Sequence, residues 1–110
     1  MVLFVRGAHV VVLITSSSEA EAEKIAKALL NTRLAACVNI VRDVKSFFWW
    51  EGRIDEAKEV LLIVKTRIDL LNELINVVKG IHSYSVPEII ALPIIAGYED
   101  YLSWVDESVK

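Results

Sequence analysis

The stretch ACVNIVRDVKSFFWW, residues 36–50, decides the fold. It is rich in Val, Ile, Phe and Trp without helical period, Glu51-Gly52 supplies a turn after it, and a second extended stretch runs from about Arg53 to Thr66. The pattern predicts a long β-hairpin. At about 3.3 Å per residue the first arm alone reaches roughly 50 Å, against a radius of gyration near ~13 Å for a domain of this size. The hairpin is therefore expected to overhang its own domain, with Phe47, Phe48, Trp49 and Trp50 at its far end. Four consecutive aromatics make an apolar patch larger than an ordinary monomer exposes, and a neighbouring subunit is the expected cover. The alternative is a bulge at Arg42-Asp43 that breaks the strand and lets the aromatics fold back onto the domain's own core.

Outward from the hairpin, the remaining elements follow from periodicity. Upstream, His9 to Ile14 is a short β-branched apolar run, suited to a central strand. Ser18 with Glu21 three residues on is a capping-box pattern, and Ala22, Ile25, Ala26, Leu29 and Leu30 make one apolar face of a helix ending near Thr32. Downstream, Thr66 and Asp69 form another capping pattern, Leu71, Leu74, Ile75 and Val78 an apolar stripe, and Gly80 a left-handed stop for a second helix. Glu88 to Ile95 reads as a fourth strand that Pro93 restricts to an edge or an end. Tyr98 to Val109 reads as a helical tail with Tyr101, Leu102 and Val105 on one side. The order β-α-β-β-α-β plus a tail is the α+β, ferredoxin-like sandwich.

Length and composition narrow the function classes. A chain of 110 residues with no linker-like stretch is read as a single domain over 1–110. Its 55% apolar residues include no run long enough to span a bilayer, and Met1 to Ile14 lacks a cleavage pattern, so a mature, non-membrane protein is expected. Cys37 is the only cysteine, which points to the cytoplasm. A net charge of −3, with both signs interspersed, excludes the basic surface that nucleic acid demands.

Catalytic patterns are scarce: no Gly-rich phosphate loop, no Cys-x-x-Cys pair, no His-Glu-x-x-His helix and no Gly-x-Ser-x-Gly elbow occur. His9 is read as a structural residue at a strand end. His82 lies in a loop, His82 to Glu88, where ligand groups concentrate. A neutral imidazole there, with Glu88 and Tyr84 nearby, can hold copper or zinc; the bland alternative is a hydrogen bond from the ring to a backbone carbonyl. Cys37 is read as a buried small hydrophobe in an apolar strand. Asp55, Glu56, Glu59, Glu19, Glu21 and Glu23 are read as solvated faces.

Several of these pieces together resemble one family. Ala35 to Ile40, Phe48-Trp49-Trp50-Glu51-Gly52-Arg53-Ile54, Glu59 through Lys65-Thr66, His82 through Ile94 and Tyr101-Leu102-Ser103-Trp104 are similar to the CutA proteins, the divalent-cation-tolerance family. The resemblance covers nearly the whole chain from His9 onward. It implies a homotrimer like that of the PII-type signalling proteins, in which hairpins and C-terminal segments complete neighbouring sheets. It also implies a link to copper and other divalent cations, with no obligatory cofactor and no enzymatic reaction. Where family members often carry His-Pro-Tyr-Glu, this chain has His82-Ser83-Tyr84-Ser85, without the carboxylate. The copper site of bacterial members resembles a cysteine at the end of the first strand plus two adjacent histidines; those positions here are Ile14, Ile81 and His82. The expected site is therefore His82 with Glu88 for a metal, and Phe47, Phe48, Trp49, Trp50 and Tyr84 for a trimer interface or cleft. The competing expectation is a trimeric platform that anchors or regulates a partner protein, with indirect metal effects.

Overall fold

The computed structural model describes residues 8–110; the reading of Met1 to Gly7 as mature chain lies outside them. The strands are β1 (His9–Ser16), β2 (Cys37–Trp50), β3 (Arg53–Arg67) and β4 (Ile89–Pro93), and the helices α1 (Glu19–Asn31), α2 (Leu71–Ile81) and α3 (Glu99–Ser108). The strands form one antiparallel sheet in the order β2-β3-β1-β4, which is the expected ferredoxin-like arrangement. Pro93 closes β4 at the sheet edge, where its missing N–H costs no ladder bond.

Alternation along β1 and β3 divides the sheet into two faces. Val10, Val12 and Ile14 of β1 and Val60, Leu62 and Val64 of β3 are buried, and they pack in one cluster with Ile25 and Leu29 of α1 and Leu74 and Val78 of α2. Each of these large side chains contributes roughly 1.5–3 kcal/mol on full burial, so this layer holds the fold. The opposite face is covered at one end by α3. There His9 Nε2 bonds Asp106 Oδ1 at 3.0 Å and the Arg67 guanidinium stands 3.6 Å from the same carboxylate, a structural role for His9 as expected.

Local signals met mixed outcomes. Ser18 caps α1 through a bond from the Glu21 amide, and Thr32 ends it, as the pattern predicts. The Thr66–Asp69 cap does not form. Thr66 is still inside β3, its hydroxyl donates to the buried Leu34 carbonyl at 2.7 Å, and a 3-10 turn at Ile68–Leu70 leads into α2 with no side-chain cap. A tertiary acceptor thus outcompeted the local one. Gly80 is an ordinary residue within α2, and the chain leaves the helix at His82 in extended conformation, with no left-handed residue there.

The hairpin is as long as its sequence demands. The chain measures 43 × 28 × 24 Å with a radius of gyration of 14.6 Å, longer than a sphere of its size. Glu51 and Gly52 at the turn have φ of 49° and 82°, both left-handed. That pair is the signature of a two-residue turn whose twist matches the strands, and glycine takes the second position without strain. A bulge does occur at Arg42-Asp43: Val41 pairs with Leu61 but Val44 pairs with Glu59, and Asp43 sits at φ 60°. The strand continues past it, and the aromatics do not fold back, since all four remain 38–73% exposed.

The Thr66 bond offers a direct check on this packing. Thr66→Val keeps the shape but removes the donor from a buried carbonyl, so the urea midpoint, at fixed protein concentration, is expected to fall by the equivalent of about 1–3 kcal/mol with m unchanged.

Candidate binding cleft beneath the hairpin

β1 ends at Ser16, opposite Val60, so β2 from Val44 and β3 below Val60 run on without a third strand beside them. Beneath this overhang the 82–88 loop closes a cleft of about 910 Å³. One wall is the hairpin face formed by Ser46 and Phe48 opposite Ala57 and Asp55 in register, with Trp50 beyond them, and the other is Ser83 to Val86 with Glu88. The cleft brings together Phe47, Phe48, Trp50, Tyr84 and Glu88 of the expected site. It leaves out Trp49, which is paired with Ile54 on the reverse of the hairpin and is 73% exposed.

The loop is held by polar bonds, not by apolar packing. The His82 ring is 0% exposed: Nε2 donates to the Thr15 carbonyl at 2.7 Å and Nδ1 accepts the Tyr84 amide at 3.0 Å. The ring also lies 4.9 Å from the Tyr84 ring, centroid to centroid. Both nitrogens are therefore committed, which assigns the proton to Nε2. His82 is not among the residues lining the cleft. An ion held by His82 and Glu88 would have to displace one of these bonds. Among the described residues no three His, Cys, Asp or Glu side chains converge to hold a metal, so the single chain presents no ready ligand set there.

Two carboxylates read as solvated faces are withdrawn from solvent instead, Glu59 buried and Glu21 part-buried. Glu21, 11% exposed, accepts from the Ser17 amide at 2.9 Å and hydroxyl at 3.1 Å through Oε1, and from the Ser83 amide at 2.7 Å through Oε2. Burial alone would raise its pKa, but bonds from the Ser17 amide, the Ser83 side chain and amide and the Ser17 hydroxyl outweigh it and bring the value from 4.5 down to about 2. Glu59 is 8% exposed and accepts the Tyr84 hydroxyl at 2.8 Å. Burial first, then the bond to Glu59, then the charges of Glu59 and Glu21 push the Tyr84 phenol from 10 up to about 12. The capping pattern at Ser18 did mark Glu21 as special; for Glu59 the only signal was its alternation with Leu61 and Ile63.

Cys37 also differs from its reading. It is half-buried at the first position of β2, with Lys65 Nζ 3.7 Å and Asn39 Oδ1 3.9 Å from its sulfur. Lys65 pairs as well with Asn39 Oδ1. The setting is polar because Cys37, Asn39 and Lys65 share the face away from the helices.

A four-stranded antiparallel sheet backed by two helices, with an overhanging aromatic hairpin and a loop-closed cleft, defines a ferredoxin-like domain with an extended hairpin. Residues 10–108 match the family described as CutA1 divalent ion tolerance protein, and the chain belongs to that family. It is 51% identical over 102 residues to the divalent-cation tolerance protein CutA of Archaeoglobus fulgidus, covering 93% of this chain and 99% of that protein. The corresponding protein of Thermus thermophilus is 51% identical over 98 residues, covering 89% of this chain and 95% of its own length. Among solved structures, that of the Archaeoglobus protein, described as the periplasmic divalent cation tolerance protein, superposes with a TM-score of 0.90 over 93% of this chain and 99% of its own. CutA1 from Oryza sativa superposes with 0.92 at 42% identity, over 96% and 97% of the two chains.

Glu21 makes stability depend on acid. Its folded pKa lies below its unfolded one, so its contribution is complete above about 4.5 and is lost as pH falls toward about 2. Glu21→Gln is expected to lower stability at pH 7 and to flatten the loss between those pH values, measured by urea denaturation at several pH values.

Proposed function

We propose that this protein serves divalent-cation tolerance as a homotrimeric binding platform, taking its ligand in the cleft beneath the hairpin and catalysing no reaction. The observation that carries this reading is the hairpin end. Phe47 is 64% exposed and Trp49 73%, and Ile54, opposite Trp49, adds to the same apolar surface. At about 25 cal/mol per Å² of apolar surface, covering such a patch is a strong drive to associate, and closed symmetry is the usual outcome for identical chains. The sheet also ends in two edges, β2 and β4, with Ile90 and Leu92 of β4 exposed; unpaired edges of this kind favour pairing between copies.

The tolerance role comes from the names of the relatives, and neither those names nor the family description denotes a reaction. Cu(II) or another divalent cation bound at His82 and Glu88 is the rival reading, supported by the same names. The platform reading is favoured because the His82 ring already holds the loop to β1 through both nitrogens. A protein partner that docks on the assembled cleft fits this role, and the single cysteine keeps the cytoplasm as the proposed compartment.

Light scattering is expected to give three times the 12.4 kDa chain mass. Trp49→Glu combined with Ile54→Glu should reduce it to one chain with the far-UV spectrum kept; a trimer surviving both changes would remove the hairpin from the interface. In a calorimetric Cu(II) titration of the tag-free protein, no saturable site that His82→Ala abolishes is expected. Stoichiometric copper lost in that variant would return the function to a metal site.

A further inference from the structure

The cleft carries an electrostatic imbalance that points to the chemistry of its ligand. Three carboxylates line it, Glu59, Asp55 and Glu88, and none of them has an ion pair with a Lys, Arg or His of the described residues. Lys45, the cation among the lining residues, is already held 3.2 Å from Glu56, and Arg53, on the same hairpin face as Asp55, lies beyond the lining toward the turn. Glu59 is the most demanding of the three. It is 8% exposed and receives a single hydrogen bond, from the neutral Tyr84 hydroxyl to Oε2. Oε1 has no partner and is not sealed in the interior, so it opens on the cleft. A carboxylate so far withdrawn from water, with one neutral donor, leaves an acceptor that a cation would satisfy.

The rest of the cleft tells what kind of cation. Glu59 and Asp55 are four residues apart on β3 and face the same way, so they stand about 13 Å apart. Between them the floor is small, with Ala57 opposite Ser46. Phe48 lies opposite Asp55, and Trp50 extends the aromatic surface toward the tip. Small residues leave room for a methylene chain, and aromatic faces favour an ammonium beside them. The hairpin shows the same preference in its own side chains, since the Lys45 ammonium sits 5.4 Å from the centre of the Phe47 ring. A compact divalent metal ion does not match two acceptors at this spacing, whereas a linear chain with ammonium groups at both ends does.

We infer that the cleft is a binding site for an aliphatic polyamine, with one ammonium on Glu59, the methylene chain over Ala57 and along Phe48, and a second ammonium on Asp55. This deepens the cleft reading above and rests on it.

The test is a calorimetric titration of the full chain with spermidine, with light scattering on the same sample. Saturable binding is expected, weakened at least tenfold by Glu59→Gln and by Asp55→Asn, with n-butylamine binding more weakly than spermidine and 1,8-octanediol not competing. Asp55→Asn lies on the exposed hairpin and keeps the test valid should Glu59→Gln disturb the loop. Glu19→Gln, outside the cleft, serves as the control for general attraction to an acidic protein. The proposal is overturned if neither cleft variant weakens binding more than Glu19→Gln does, if the diol competes, or if a trimer forms and takes no spermidine. That last result leaves assembly intact, while Glu59-dependent binding by a single chain would sink the trimer and keep the site.

Discussion

One extra residue in β2 sets which side chains the hairpin offers to which side. Had β2 continued from Val41–Leu61 without interruption, Asp43 would stand directly opposite Glu59, two like charges in one cross-strand pair. Lys45, Phe47 and Trp49 would then share the face of Glu59 and Asp55. The bulge instead places two residues of β2 opposite Val60, with Asp43 left-handed, a conformation Asp tolerates better than most. Every later residue changes sides. Val44, Ser46, Phe48 and Trp50 now face with Glu59, Ala57 and Asp55, while Phe47 and Trp49 alternate to the reverse and stay largely exposed, Phe47 still bordering the cleft. The cleft and the outward apolar surface thus arise from the same local insertion, and the strand stays continuous because its pairing resumes at once.

The second constraint is the lock on the 82–88 loop. A loop beside an overhanging hairpin has little apolar surface to bury, so its position depends on polar bonds from three elements. His82 reaches the end of β1, Glu21 reaches the loop from the first turn of α1, and Tyr84 reaches β3 through Glu59. Glu21 does not complete a capping box with Ser18. It extends one residue further back to Ser17 and across to Ser83, so one carboxylate joins helix start and loop. Apart from Glu59 Oε1, which opens on the cleft, these groups satisfy one another, and no fully buried side-chain polar atom among the described residues lacks a partner. Such networks hold a unique geometry because each missing member would leave a buried group unpaired. Within this network His82 supports the wall of the cleft and does not form its lining.

Much of the fold was legible in the sequence because it rests on periodicity. The 3.6-residue stripes, the alternating runs and the Glu51-Gly52 turn are local signals, and they placed all four strands and three helices in their observed order. The CutA resemblance was equally legible, in segments such as Phe48 to Ile54 and His82 to Ile94 that the family comparison then matched within residues 10–108. Local signals failed where a distant group competed. Thr66 found the Leu34 carbonyl instead of a helix cap, and Gly80 was needed only as a helical residue.

The sequence by itself determined the class of fold, the overhang and the aromatic end of the hairpin, because strand length and residue type are properties of the chain alone. Only the tertiary structure decided that Glu59 is buried and Glu21 part-buried, that the His82 ring has both nitrogens engaged, and that Phe48 and Trp50 face the cleft while Trp49 does not. Burial and facing depend on register and on the meeting of residues 25 to 67 positions apart, such as Tyr84 with Glu59 and His82 with Thr15. A single inserted residue reverses the facing of a strand, and no periodic pattern in β2 states on which side of the bulge the alternation resumes.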